Sequence, residues 1–162
     1  MSQPKAQLID PREHGQRALE LKRPVFDAAA VARAEGALGA LSEAFPAWLE
    51  NDIAKIQTAR LAAESDCWSN SALESLHVAA HDLKGLGATY GYPIVTQIAA
   101  SLCRLIETKI GKQVTRQNPV LARAHVDALR AAVRAGVRDE THAAGRLLLR
   151  ELESQVASLD IV

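Results

Sequence analysis

Apolar residues recur along this chain at the spacing of a helix, and no useful length alternates with the period of two that a half-buried strand requires. Phe45, Trp48, Leu49, Ile53, Ile56 and Leu61 form one such series, and Ile94, Val95, Ile98, Leu102 and Ile106 another. Leu121, Val126, Leu129 and Val133 form a third, and Leu147, Leu148, Leu152 and Val156 a fourth. The interior material agrees with this: 48% of residues are apolar but only 4% aromatic, so a core must be built from closely packed Ala, Leu, Val and Ile, which suits helices better than sheets.

Punctuation residues divide the pattern. Asp27 caps a helix from Ala28 to about Leu41, and Pro46 either kinks or restarts the helix pair that continues to Leu61. Ser69 or Asn70 caps the next helix, expected to run to about Tyr90, with Gly91 and Pro93 marking a short turn. Pro93 suits the first turn of a helix reaching about Ile110, with Gly111 as its stop. After a polar stretch, Asn118 and Pro119 open a further helix, and Asp139 to about Ser158 resumes the pattern. Gly136 either breaks or bends this last region. The fold class expected is all-α, an up-and-down antiparallel four-helix bundle with additional N- and C-terminal helical segments.

A chain of 162 residues fits one domain, since single cores are comfortable at roughly 100–200 residues. Residues 1–24 carry Pro4, Pro11 and Pro24 among polar side chains without periodicity and read as a flexible arm, leaving 25–162 as the helical domain. Nineteen basic residues balance nineteen acidic ones, so no net field draws the chain to nucleic acid or an anionic membrane, and a partner must be recognised through a local patch. Cys67 and Cys103 could form only one bridge and lack metal-ligand spacing. A reduced chain with both cysteines packed on helices is the simpler reading. No charged segment followed by an apolar run opens the sequence, and no stretch approaches the roughly 20 apolar residues of a membrane span. A cytoplasmic protein is expected.

The segment that carries chemistry is His77-Val78-Ala79-Ala80-His81-Asp82-Leu83-Lys84-Gly85-Leu86-Gly87-Ala88-Thr89-Tyr90-Gly91. On a helical wheel of roughly 100° per residue, Leu76, Ala79, Ala80, Leu83, Leu86 and Gly87 gather on one side and His81 points nearly opposite, to solvent. His77, Lys84, Gly85 and Ala88 fall within about 60° of His81, so an imidazole and an ammonium share a face without bulk. A neutral imidazole is a competent nucleophile near neutral pH, and Lys84 can offset charge on phosphoryl oxygens. A glycine inside a helix costs roughly 1 kcal/mol against alanine, so Gly85, directly beneath His81, is best explained by close approach of a partner.

His81-Asp82-Leu83-Lys84-Gly85 followed by Gly91 resembles the signature of histidine-containing phosphotransfer domains: a phosphorylatable His, Lys three residues on, Gly four on and Gly ten on. The similarity continues through Tyr92-Pro93-Ile94-Val95-Thr96-Gln97-Ile98-Ala99-Ala100-Ser101-Leu102, and departs where many members carry Glu and this chain has Cys103. The resemblance implies a four-helix bundle whose exposed His81 accepts a phosphoryl group from the aspartate of a response-regulator receiver domain and returns it to another. Lys84 would stabilise phosphoryl charge and Gly85 give the partner access. His77, Leu86, Ala88, Gly91 and Ile94 are the candidate partner contacts. No cofactor is expected in this chain; the divalent metal, Mg2+, would sit in the partner receiver. The chain would be a phosphocarrier rather than an enzyme, and a monomer, since its apolar positions suffice for one bundle only.

The same residues allow other readings. A complete histidine kinase is excluded because 162 residues leave no room for an ATP-binding domain, but a detached phosphoacceptor module serving a kinase is not. A non-catalytic helical adaptor would make His81 incidental. The four-residue spacing of His77 and His81 can hold zinc, yet no third ligand is evident. His125 and His142 have no companion motif and read as structural or surface positions. Asp82, Arg104 and Glu107 could line a docking rim, and the Thr89 or Tyr90 hydroxyl could touch a partner.

Overall fold

The computed structural model describes residues 27–159; the expected arm, 1–24, lies outside them. Among the described residues the order is six helices, α1 (Ala28–Ser65), α2 (Asn70–Leu86), α3 (Pro93–Glu107), α4 (Lys109–Gln117), α5 (Val120–Arg134) and α6 (Ala143–Ala157), with no strand. The chain divides at Ala40 into two compact units. All described residues of the first are exposed.

α1 begins at Asp27, whose Oδ1 accepts from the Ala29 amide at 3.0 Å and whose carbonyl accepts from Ala30 and Val31. Pro46 neither restarts nor ends the helix, which is continuous across it. Proline removes one helical donor, but strong helix formers flank it on both sides, Leu41, Glu43 and Ala44 before it and Ala47, Leu49 and Glu50 after it. Leu49, Ile56 and Ala63, spaced by seven, form its buried stripe. The helix ends in a turn with two consecutive left-handed residues, Cys67 at φ 48 and Trp68 at φ 56. Cys67 is therefore an exposed turn residue rather than a helix-packing one, while Cys103 is buried as expected; both are free thiols.

Ser69 caps α2, its Oγ accepting from the Ala72 amide at 3.2 Å. Ala72, Leu73, Leu76, Ala80 and Leu83 are the buried face. α2 stops at Leu86 rather than at about Tyr90. Gly91 adopts φ +80, and the residue before Pro93 is sterically pushed out of the helical region, so residues 87–92 turn instead. The Gly91 amide donates to Ala88 and the Tyr92 amide to Gly87.

α3 is the central helix, packing against α2, α4, α5 and α6, and its Ile94, Val95, Ile98, Leu102, Leu105 and Ile106 are essentially inaccessible. It ends at Glu107, short of Ile110. Thr108 is extended and its side chain accepts from the Gly111 amide at 3.0 Å, which starts α4. Gly111 is thus a buried helical position and not a stop, and the polar stretch after it is a helix whose inner face is made by Gly111 and Thr115.

Gly136, at φ +66, breaks the last region into two helices. Residues 139–142 form a turn closed by the Thr141 amide on Asp139 Oδ1 at 2.9 Å, so α6 starts later than Asp139. It packs on α3 and α5 through Leu149, Leu152 and Val156. Close approach is achieved at Gly145, where an added Cβ would lie 2.7 Å from Val137 and 2.8 Å from Ile94.

A buried polar pair, His125 and Ser101, sits inside the core. His125 on α5 is fully buried, with Nδ1 2.7 Å from the Leu121 carbonyl and Nε2 3.0 Å from Ser101 Oγ. A carbonyl can only accept, so Nδ1 carries the proton and Nε2 accepts from the serine hydroxyl. Burial drives its pKa down from 6.5 to about 4 against the opposing pull of the Leu121 carbonyl, and nearby Arg104 lowers it further. His125 is a neutral structural histidine, and His142 an exposed residue at the start of α6.

Candidate functional site

The buried stripe of α2 leaves the opposite flank of the helix free, and the residues singled out from sequence fall mainly on it. His81 is exposed, and among the described residues its ring makes no hydrogen bond. Its ring lies against that of His77, a turn earlier, at 6.3 Å between centroids and 36° between planes. His77 is half-buried. Lys84, a turn later, is exposed and forms no ion pair among the described residues; it acts electrostatically on Cys103 of α3. Burial pushes the Cys103 thiol up, Lys84 pulls it down and Glu107 pushes it up again. Lys84 and Glu107 therefore both lie within electrostatic range of this part of α3.

Gly85 inside α2 and Gly87 just past its end do different things. Gly85 is exposed and a Cβ there would meet nothing within 4 Å, so it leaves the surface beside His81 open. Gly87 is buried, and a Cβ there would fall 2.8 Å from the Thr96 backbone nitrogen and 2.9 Å from its Oγ1. The same Thr96 hydroxyl accepts from the Ala88 amide at 2.9 Å. Gly87 thus lets the end of α2 and the first turn of α3 touch, and so fixes the turn that follows the site.

Of the candidate partner contacts, Leu86 is 38% exposed, and Ala88 and Gly91 are exposed on the turn. Ile94 is not available: it is 0% exposed and belongs to the core beneath α6. Its place on the second residue of α3, facing inward, removes it from any contact surface. Tyr90 is also committed within the chain, donating to Asp52 Oδ2 at 3.3 Å, whereas Thr89 is exposed.

Sequence reasoning did not find the α1 side of the site. Asp52 is nearly buried and is held by Lys55 at 2.7 Å as well as by Tyr90. Phe45 and Trp48 pack on the Tyr90 ring with centroids 5.6 and 6.5 Å away. This cluster ties the turn after α2 to α1. Beside it, an open groove of about 530 Å³ runs between α1 and α2, lined by Lys55, Thr58, Val78 and Asp82 among others. No local spacing could have signalled it, since Asp52 and Tyr90 are 38 residues apart. Arg104 pairs with Glu153 at 3.3 Å, and Glu107 is exposed. Among the described residues no group of three or more His, Cys, Asp or Glu could hold a metal ion, and no helix is long and apolar enough to cross a membrane.

A family model described as Hpt domain matches residues 40–136, from within α1 to the glycine that ends α5, so that α6 lies outside the match. No curated protein and no solved structure matches the chain.

Proposed function

The chain belongs to the Hpt domain family, whose members carry phosphoryl groups in two-component signalling, and from that premise we propose that it is a relay protein whose His81 takes a phosphoryl group from a receiver-domain aspartate and passes it to another receiver. The observation that carries this reading is the exposed imidazole of His81, which makes no hydrogen bond among the described residues, with Lys84 one turn on and open space at Gly85. We read the helices as an up-and-down four-helix bundle around α3, with α6 added, and the protein as a monomer of the cytoplasm.

A ring nitrogen of His81 attacks phosphorus with its lone pair, the acyl P–O bond breaks, and the partner carboxylate leaves with the electron pair; onward transfer is the reverse on a second aspartate. Phosphoryl transfer depends chiefly on positioning and charge neutralisation, and this chain supplies both without a cofactor of its own. Mg2+ belongs to the partner receiver. His77, Leu86, Ala88 and Gly91 are the contacts proposed for that partner.

Lys84→Ala should slow phosphoryl transfer about 100-fold, the scale of losing one preorganised charge stabiliser, while leaving thermal stability unchanged because Lys84 holds no ion pair among the described residues. Rapid-quench transfer rates beside melting curves check both. The relay itself is tested by charging receiver domains with acetyl phosphate, mixing them with this protein, and then adding an uncharged receiver. The reading expects an acid-labile mass gain on this chain that disappears as the second receiver gains phosphate. No gain across a broad receiver panel by a folded chain would favour a helical adaptor, and gain only from a histidine kinase would make it a detached kinase module.

A further inference from the structure

His77 and His81 stand one turn apart on the same flank of α2 and differ in burial, His77 half-buried and His81 exposed. A half-buried ring has fewer rotamers open to it, so His77 is the more fixed of the two. Their centroid separation of 6.3 Å is too wide for a hydrogen bond between the rings. It leaves room for an oxygen atom bound to a group on His81 to lie between them.

We propose that His77 is a positioning residue for the phosphoryl group on His81, donating a ring N–H to one of its oxygens and binding a proton as the group arrives. The proposal rests on His81 being the acceptor. When the His81 nitrogen forms its bond to phosphorus, the acyl P–O bond breaks, the electron pair leaves with the carboxylate, and the proton on the far nitrogen of the attacking ring passes to water. The phosphoryl group brings negative charge beside His77, and opposite charge within a few ångströms favours the protonated imidazole. His77 then takes a proton from water, and onward transfer releases it. Lys84 meets the group from the next turn, so the phosphoryl oxygens lie between two cations on one helix face.

The other charges nearby are anions or already paired: Asp82, next to His81, is an anion, and Lys55 of α1, across the groove that Val78 and Asp82 line, is bridged to Asp52 at 2.7 Å. Glu74 on α2 is bridged to Lys112 of α4 at 3.2 Å, and Arg104 of α3 is bridged to Glu153 of α6 at 3.3 Å. Glu107 of α3 is an anion that opposes Lys84 in its effect on Cys103. No further cation stands on the His77 side of His81 along α2, where residues 78–80 are Val, Ala and Ala.

The test follows the His77 ring Cε1–H resonance against pH in the full chain, before and after phosphorylation with phosphoramidate. The titration midpoint of His77 should rise by about 1 pH unit or more on phosphorylation, the size expected from a nearby opposite charge. It should return when the phosphate is hydrolysed, and phosphoramidate should leave it unmoved in His81→Gln. His77→Arg should keep its transfer rate as pH rises, where the native rate falls toward that of His77→Gln. A phosphorylated His81 with an unmoved His77 midpoint overturns this inference alone; no phosphate on His81 overturns it together with the acceptor reading.

Discussion

Gly85→Trp will slow phosphoryl transfer about 100-fold while the fold stays intact, and Gly87→Ala, two residues away, will do the reverse. At Gly85 an added Cβ meets nothing within 4 Å, so a side chain there points into solvent in the free protein. Removing an interior helical glycine even stabilises, by roughly 0.5–1 kcal/mol for Gly85→Ala. An indole at that position stands directly beneath His81 on the next turn and keeps a partner's reacting aspartate from its in-line position, and a displacement near 1 Å costs on the order of 100-fold. At Gly87 the added methyl meets Thr96 backbone at 2.8 Å, and it cannot rotate away. Either α3 shifts or the Thr96 hydroxyl leaves the Ala88 amide, a cost of about 1–3 kcal/mol. Transfer rate and urea midpoint measured on both variants separate the two roles. Equal loss of stability in both would mean that the space at Gly85 is not open.

Acid will destabilise the protein through His125 before its carboxylates titrate. Its folded pKa is about 4 against an ordinary 6.5, so the unfolded chain binds the proton first as pH falls. Above pH 6.5 both states are neutral at this residue and it adds no pH dependence. Between pH 6.5 and about 4 the unfolded state is progressively favoured, and the full loss is about 3 kcal/mol, at about 1.4 kcal/mol per pH unit of difference. Below pH 4 the folded state protonates too and the loss levels off. His125→Leu should be less stable than the native chain at pH 7, by about 1–3 kcal/mol, because it leaves the buried Ser101 hydroxyl without the ring nitrogen it donates to. Its unfolding free energy should nevertheless fall less steeply from pH 6.5 to 4. Chemical denaturation across that range reads both, and parallel slopes for native and variant proteins would contradict the assignment.

Much of this architecture was legible from residue spacing. Leu49 and Ile56 within the first apolar series, a cap at Ser69 or Asn70 and Pro93 at the start of α3 are local signals with local causes, whereas Trp48 and Leu61 of the same series are 43% and 48% exposed and Gly136 could be read equally as a break or a bend. The wheel also separated His81 from Leu83 and Gly87, because α2 is amphipathic and one face alone is buried. It erred at Leu86, which the same wheel sends inward and which is 38% exposed, since the helix ends there and the turn carries the chain away.

What stayed hidden depended on tertiary contact. α4 looks like a polar connection because a glycine and a threonine supply its buried face, and neither is an apolar marker. Ile94 follows a turn glycine and a proline, a setting that suggests surface, but α6 closes over it at Gly145. The same closure makes the C-terminal segment a packed helix. Tyr90 pairs with Asp52 across 38 residues, a contact that no motif announces, and with Phe45 and Trp48 it anchors the turn beside the candidate site.

Whether His81 is the phosphoryl acceptor is tested most directly by comparing the native chain with His81→Gln in transfer from an acetyl-phosphate-charged receiver, read by intact mass with and without acid. The native chain should gain one acid-labile phosphate, and His81→Gln, equally folded, should gain none. Equal acid-labile phosphate on both would place the acceptor elsewhere and contradict the account.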